Sequence, residues 1–175
     1  MNGHTPPLDT PAANRGRDRR ESEMEYQPYF RHVLSRVSES EAQKSAVLSK
    51  CPRRFREFAV STNGGEPNKR GMRSRDHQDG YDVIKRFYKL VPQDRDSIDW
   101  WNQQFVDYAQ NGLVVIGSTE FGGVIALDVL SKDPEVVYYI DAADEADERG
   151  RKRLYWLARN VDEFVERLQE TQDVP

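Results

Sequence analysis

Three short apolar segments between residues 113 and 141 constrain the fold of this chain more than any other part of its sequence. They read LVVIG (113–117), GVIALDVL (123–130) and EVVYYID (135–141). Each has the length of a strand and is rich in β-branched or aromatic residues, so the pattern predicts three β-strands. Only residues 131–134 separate the second strand from the third, which predicts an antiparallel hairpin.

The four-residue turn at 131–134 also predicts the register of this hairpin. The expected facing pairs are Val129 with Val136, Leu127 with Tyr138, and Ile125 with Ile140. In this register one face of the sheet is wholly apolar, whereas the other face presents Asp128 and Asp141.

Three helices are predicted ahead of these strands. Apolar residues at spacings of three and four over Tyr26–Val37 predict the first helix. Ser38 and Glu41 have the spacing of a capping box and predict the start of the second. The third begins at Pro52 and ends at Asn63-Gly64-Gly65, since these residues readily take the left-handed conformation that stops a helix. We therefore assign a structural role to Pro52 and to this Asn-Gly-Gly segment.

The rest of the chain supplies further elements. A charged, glycine-rich segment over Glu66–Gly80 predicts a mobile loop, and the apolar pattern at 82–91 predicts a strand. A helix is expected from Asp96 or Ser97 to Asn111-Gly112. A last strand is predicted at 153–158, followed by a helix capped by Asn160.

These elements predict a single α+β domain. Its mainly antiparallel sheet is flanked by N-terminal helices, one inserted helix and a C-terminal helix. Residues 1–22 are rich in proline and charge with almost nothing apolar, so we expect a disordered tail there and the folded domain over residues 23–175.

Composition excludes several classes of protein. No run approaches the roughly 18 apolar residues of a membrane helix, and the N-terminus lacks the apolar core of a secretory signal. With 26 Lys and Arg against 30 Asp and Glu, the net charge of −4 favours a basic partner over nucleic acid. The single cysteine, Cys51, allows no internal disulfide and favours a reducing compartment. We therefore expect a soluble cytoplasmic protein.

Two segments superficially resemble ligand-binding loops. The glycine-rich segment 117–123 joins a strand to a strand and matches no phosphate-loop motif, so Gly117, Gly122 and Gly123 are assigned to backbone turns. The acidic segment that starts at Asp141 lacks the glycine and the final glutamate of a calcium loop, because Ala146 and Lys152 stand at those positions. We expect neither a cofactor nor a bound metal.

Catalytic groups are equally scarce in the sequence. Cys51 precedes Pro52 at a helix N-terminus, where a thiol pKa can fall, but no histidine is near in sequence, so a buried small side chain is the favoured interpretation. His4, His32 and His77 form no metal-binding or triad motif. We therefore predict that the chain is not an enzyme.

A series of short motifs carries a family resemblance over residues 38 to 170. They are PRRFREF (52–58), NGGEP (63–67), GLVVIG (112–117), FGG (121–123), ALD (126–128), VYYID (137–141) and VDEF (161–164). In this order and spacing they resemble the SUKH superfamily, the Smi/Knr-type domain of fungal cell-wall regulators and bacterial immunity proteins. The resemblance implies an α+β fold with a mostly antiparallel sheet, and no catalysis.

The resemblance implies that the chain is a binding protein. Bacterial members typically bind and neutralise a toxin, often a nuclease, so we expect an immunity protein with a toxin domain as its partner. The alternative is a regulatory scaffold like the fungal members, with the N-terminal tail as a docking segment.

Trp100 is expected to be exposed beside an inward-facing Trp101, and Asp128 has the alternative role of binding a turn backbone. We expect the partner to contact the loop Glu66–Gly80, the turn Gly117–Gly123, and acidic residues at an edge or exposed face of the sheet. The expected contact residues are Glu66, Trp100, Glu120, Asp128, Asp141, Asp144 and Glu145.

Overall fold

The computed structural model describes residues 26–32, 37–77, 80–91, 94–131 and 135–171. The predicted tail at residues 1–22 lies outside these ranges. In the described part, the helices are α1 (Glu39–Ala42), α2 (Arg53–Thr62), α3 (Ile98–Gln104), α4 (Val106–Gln110) and α5 (Val161–Glu166). The strands are β1 (Phe30–His32), β2 (Glu66–Pro67), β3 (Gly71–Arg73), β4 (Tyr81–Phe87), β5 (Leu113–Thr119), β6 (Val124–Asp128), β7 (Val137–Ile140) and β8 (Tyr155–Ala158). This mixture confirms the predicted α+β class.

Strands β3 to β8 form one antiparallel sheet in which every strand pairs with its neighbour in sequence. Because the chain reverses at each step, the β3–β4, β5–β6 and β7–β8 connections all lie at one end of the sheet. We call it the hairpin end. The β4–β5 connection with α3 and α4, and the β6–β7 turn, lie at the opposite end.

The sheet curls until its two edge strands approach each other. The Ser74 hydroxyl, directly after β3, donates a 3.3 Å hydrogen bond to the carbonyl oxygen of Trp156 in β8. In a flat sheet, five strand spacings of about 4.8 Å would hold these edges roughly 24 Å apart. Gly71 in β3 also pairs with Gln169 beyond α5. The sheet is therefore nearly a barrel, and we call the gap between β3 and β8 the seam.

A cluster of aromatic rings packs α2 and α5 onto the same face of the sheet. Phe58 of α2 is only 1% exposed and contacts Tyr26 and Phe87 edge to face, with ring centroids 5.0 and 5.2 Å apart. Phe87 of β4 also contacts Phe164 of α5 at 6.3 Å. Truncation of such a phenylalanine to alanine typically costs about 3–5 kcal/mol, so this cluster holds the helices in place.

The predicted end of α2 is confirmed. Asn63, with a φ of 41°, and Gly64, with a φ of 76°, take the left-handed conformation, and the Gly65 N–H donates to the Thr62 carbonyl. The Asn63 Oδ1 atom accepts a 2.9 Å hydrogen bond from the backbone N–H of Leu90. The residues that stop the helix therefore also tie it to the segment after β4.

Three predicted helix starts are confirmed by their caps. Ser38, Ser97 and Asn160 each accept a hydrogen bond from the backbone N–H three residues later, and Ser38 forms the complete capping box with Glu41. Helix α1 nevertheless ends after only one turn, at Ala42.

The first predicted helix is wrong. In the first half of the predicted Tyr26–Val37 helix, the structure has a 3-10 turn at Gln27–Tyr29 followed by β1, which pairs with β2. Residues 33–36 of this prediction lie outside the described residues. Phe30 packs against Phe58. Helical spacing is a local signal, and here pairing with a distant strand and packing on the aromatic cluster override it.

The loop predicted over Glu66–Gly80 is wrong in part, because it contains β2 and β3. Strand β3 pairs with β4 and buries Met72. Both strands are too short, and too interrupted by charged residues, to show an alternating apolar pattern. They can therefore be identified only from their pairing with neighbouring strands.

The predicted inserted helix is interrupted. Phe105, with φ −103° and ψ 45°, leaves the helical conformation and divides the segment into α3 and α4. Its ring stacks between those of Trp101 and Tyr108, at centroid distances of 5.8 and 5.6 Å. The aromatic residues still share one side of the segment despite the break.

The β6–β7 hairpin is confirmed, but its predicted register is wrong by one residue. The observed pairs are Val124–Ile140, Ile125–Tyr139, Ala126–Tyr138 and Leu127–Val137. The turn begins earlier than expected, since Asp128 Oδ1 accepts hydrogen bonds from the N–H groups of Leu130 and Ser131, and Glu135 has a φ of 100°. Residues 124–127 are all buried, so neither face of β6 is the polar face that the predicted register implied.

Candidate functional site

The hairpin end brings most of the predicted partner contacts together. Glu120 lies in the β5–β6 turn, and Asp141, Asp144 and Glu145 lie in the β7–β8 connection. Glu66 joins them through Arg70, whose Nη1 atom is 3.6 Å from a Glu66 oxygen and 3.4 Å from a Glu120 oxygen. Glu120 and the acids of the β7–β8 connection share one end of the sheet because alternate connections of an antiparallel sheet do so, whereas Glu66 reaches Glu120 through Arg70, which precedes β3.

Trp100 and Asp128 lie at the opposite end. Trp100 is half-buried, which corrects the expectation that it is exposed, because its ring packs edge to face on Trp101 at 4.8 Å. Asp128 makes the turn hydrogen bonds described above, which confirms the structural alternative for this residue.

Phe121 is the most exposed side chain of the β5–β6 turn, and although contacts were predicted on this turn, Phe121 itself was not singled out. It is 69% exposed, and the next residue, Gly122, has a φ of 92°. A Cβ atom on Gly122 would lie 3.8 Å from Ala142, so the turn sits beside the β7–β8 connection. The signal available in the sequence was an aromatic residue directly before two glycines in a tight turn.

Two glycines are required by close approach: Gly117, which lies within β5 and not in a turn as predicted, and Gly123 of the β5–β6 turn. A Cβ atom on Gly117 would lie 2.7 Å from the Arg86 carbonyl oxygen, and one on Gly123 would overlap the ring of Tyr139. The Tyr139 ring can therefore lie over β6 and reach β4, where its hydroxyl donates a 2.8 Å hydrogen bond to Asp82 Oδ2. Burial, followed by the neighbouring Asp82, raises the pKa of Tyr139 far above its ordinary value.

A cleft of about 470 Å³ opens between the β3–β4 and β7–β8 connections. Its walls include Arg75, Arg153 and Tyr155. His77 lies within it with only 8% of its side chain exposed, and its ring packs edge to face on Tyr155 at a centroid distance of 4.5 Å. The Nε2 atom of His77 is 2.8 Å from Asp141 Oδ2.

The hydrogen bonds around His77 define its neutral tautomer. The Gly80 N–H donates to Nδ1 at 3.3 Å, so Nδ1 carries no proton, and the Nε2–H donates to Asp141. The second oxygen of Asp141 accepts a 2.8 Å hydrogen bond from the Ala143 N–H. His77 and Asp141 therefore join two connections of the hairpin end.

His77, Asp141 and Asp144 are close enough to be considered as metal ligands, since one atom from each lies within 4.8 Å of the others. One observation opposes this role. The Lys152 ammonium already binds the carbonyl oxygens of Asp141 and Asp144, at 3.3 and 2.9 Å, and that of Ala142. Lys152 occupies the position at which a calcium loop has its final glutamate. Its ammonium group is the cation that the carbonyl oxygens of this segment bind.

Cys51 has no reactive character. Its side chain is buried, and burial raises the pKa of the thiol to about 12, so the helix that follows does not produce a thiolate at neutral pH. The interpretation of Cys51 as a buried small side chain is confirmed.

Comparison with known proteins identifies one family. The family model described as SMI1 / KNR4 family (SUKH-1) matches residues 42–167, well over half of the chain. No curated protein and no solved structure matches. Among the described residues, no helix has the length and apolar character needed to cross a membrane.

Proposed function

The chain belongs to the SMI1/KNR4 family (SUKH-1), and from this premise we propose that it is a non-catalytic immunity protein that neutralises a protein toxin by covering part of its surface. Membership is consistent with an immunity role or a regulatory role. The observation that carries the proposal is Phe121, an exposed aromatic side chain in the β5–β6 turn, which lies beside the β7–β8 connection with its acidic residues Asp144, Glu145 and Glu148. The chain has a single cysteine and therefore no internal disulfide, which agrees with action in the reducing environment of the cytoplasm.

Phe121 has the properties of a binding hot spot. Aromatic anchors contribute most to protein interfaces when they insert into a partner pocket and the surrounding contacts exclude water. The turn joins two strands that pair with each other, which restricts the position of the Phe121 backbone and limits the conformational entropy lost on binding.

The charges nearby favour a basic partner. Glu145 and Glu148 are exposed, and within the described ranges neither has a basic group within 4.0 Å. The nearby Asp147 is paired with Arg151 at 2.9 Å. Unpaired carboxylates around an aromatic anchor attract a positively charged surface and speed encounter. A nuclease toxin, which must bind phosphates, presents such a surface.

The chemistry of the candidate groups supports a non-catalytic role. A general base needs a free lone pair, but both ring nitrogens of His77 are engaged, by Gly80 and by Asp141. A thiol nucleophile needs a lowered pKa, and that of Cys51 is raised.

The proposal is tested by co-expressing the chain with toxins encoded beside its gene. We expect one toxin to be neutralised and to co-purify, and Phe121→Ala to weaken this complex by about tenfold or more. The matched control is Leu130→Ala, because Leu130 is 74% exposed but lies in the β6–β7 turn at the opposite end. It should bind as the wild type does.

The outcomes separate the alternatives. If no such toxin is neutralised or co-purified, the immunity function is wrong for those toxins. A partner that binds without loss of its toxicity would favour the regulatory scaffold. Equal binding by the Phe121 and Leu130 variants would show that the hairpin end is not the contact surface.

A further inference from the structure

The seam contains a second surface with the opposite charge. A groove of about 400 Å³ runs between β3, β8 and the end of α5. Its closed base is formed by Met72, Leu157 and Phe164 of β3, β8 and α5, which are only 2–3% exposed. The groove exists because the sheet curls far enough to bring its edges together, and within the described residues Ser74 at the end of β3 is hydrogen-bonded to Trp156 of β8.

Three arginines, Arg73, Arg75 and Arg167, line this groove, and no carboxylate does. Arg73 and Arg75 are exposed, and within the described residues neither has a carboxylate within 4.0 Å. Arg75 also reaches the cleft at the hairpin end. Because Glu163 pairs with Arg167, it is Arg73 and Arg75 that give this groove its positive charge, in a chain with a net charge of −4.

Arg167 is held in position before any ligand arrives. Its guanidinium lies over the Trp156 ring, 4.8 Å from the centroid, and donates a 3.1 Å hydrogen bond to the Leu157 carbonyl oxygen. Glu163 pairs with it at 2.6 Å. A guanidinium fixed by stacking and hydrogen bonds loses little side-chain entropy when it binds a carboxylate.

We propose that the seam groove binds an extended acidic segment of a protein partner. Its carboxylates pair with the arginines. An extended chain fits because the groove runs between two strands. The small size of the basic patch and the net negative charge of the protein favour a peptide over nucleic acid, which needs a broad basic surface. This site is separate in chemistry from the Phe121 surface and does not depend on the proposed function.

The test uses a short fluorescein-labelled peptide in which glutamate alternates with valine, titrated with the full chain and followed by fluorescence anisotropy. We expect saturable binding that Arg73→Glu weakens by about tenfold or more. The matched control is Arg95→Glu, since Arg95 is exposed and precedes α3 at the opposite end of the sheet. It changes the net charge equally and should leave binding intact. Urea unfolding of both variants checks that each remains folded.

Three outcomes would overturn the proposal. They are no binding by the wild type, equal weakening by the two charge reversals, and equal binding of a peptide in which lysine replaces glutamate. Tighter binding of a single-stranded RNA that competes with the peptide would assign the groove to nucleic acid instead. Toxin neutralisation that survives Arg73→Glu, together with peptide binding that survives Phe121→Ala, would separate this site from the proposed immunity surface.

Discussion

The Tyr139 hydroxyl on β7 donates a 2.8 Å hydrogen bond to the buried carboxylate of Asp82 on β4, across the two strands that lie between them. In a flat sheet these strands would be roughly 14 Å apart, since each spacing is about 4.8 Å. The bond exists because the sheet curls and because Gly123 leaves space for the tyrosine ring. It stabilises the curvature that shapes the hairpin end.

Tyr139→Phe should destabilise the protein. The substitution removes one donor from a carboxylate that is only 1% exposed, and leaving such a group short of a partner costs about 1–3 kcal/mol. Urea unfolding measures the loss. The same change at the exposed Tyr29 should have little effect, and equal stability of the two variants would contradict the structural role of the bond.

Gly123→Ala should also destabilise the protein, by about 1–3 kcal/mol, because the new methyl group overlaps the Tyr139 ring. The cost should fall in a Tyr139→Ala background, where the ring is absent. A double-mutant cycle by urea unfolding measures this coupling. Simple additivity of the two free-energy changes would show that the ring is not the obstacle.

Stability should depend on the Cys51 thiol at alkaline pH. Burial raises the pKa of the folded thiol to about 12, whereas in the unfolded chain it is about 8.5. The unfolded chain therefore releases a proton that the folded chain retains, so stability is full below about pH 8.5 and falls as the pH rises toward 12. Between about pH 8.5 and 10, the wild type should lose up to about 2 kcal/mol more than Cys51→Ala. Parallel pH profiles of the two proteins would refute this.

Lys152→Met should loosen the β7–β8 connection. Methionine keeps most of the side-chain length but cannot donate to the carbonyl oxygens of Asp141 and Asp144. Hydrogen bonds to a charged group contribute about 1.5–3 kcal/mol, so exchange of the Ala143 amide hydrogen should accelerate by about tenfold or more. Arg149→Met, in the same connection, removes an exposed charge and serves as the control. Unchanged exchange in the lysine variant would show that the ammonium does not hold the loop.

The sequence predicted those parts of the fold that depend on local chemistry. The caps at Ser38, Ser97 and Asn160 and the left-handed stop at Asn63 are set by hydrogen bonds within a few residues. The β6–β7 register failed because Asp128 bonds the following backbone and starts the turn early. The hydrogen bonds of this one side chain accompany a shift of one residue in every facing pair of the hairpin.

The candidate site was predictable only as a set of residues. The acidic side chains could be named from their segments, but their assembly at one end required the strand order. The contacts of His77 with Asp141 and of Tyr139 with Asp82 join residues far apart in sequence, and no periodic pattern encodes them. The sequence showed that Lys152 is incompatible with a calcium loop. It could not show that the Lys152 ammonium binds backbone carbonyl oxygens, because this depends on how the β7–β8 connection folds.

The closing of the seam also bears on aggregation. Exposed edge strands can pair with strands of other molecules, and many proteins shield them. Here each edge of the curled sheet faces the other, and the pairing of Gly71 with Gln169 covers part of β3. This pairing leaves less of the β3 edge open to strands of other molecules. We therefore expect a chain shortened before Gln169 to form oligomers through the uncovered β3 edge, which size-exclusion chromatography would detect.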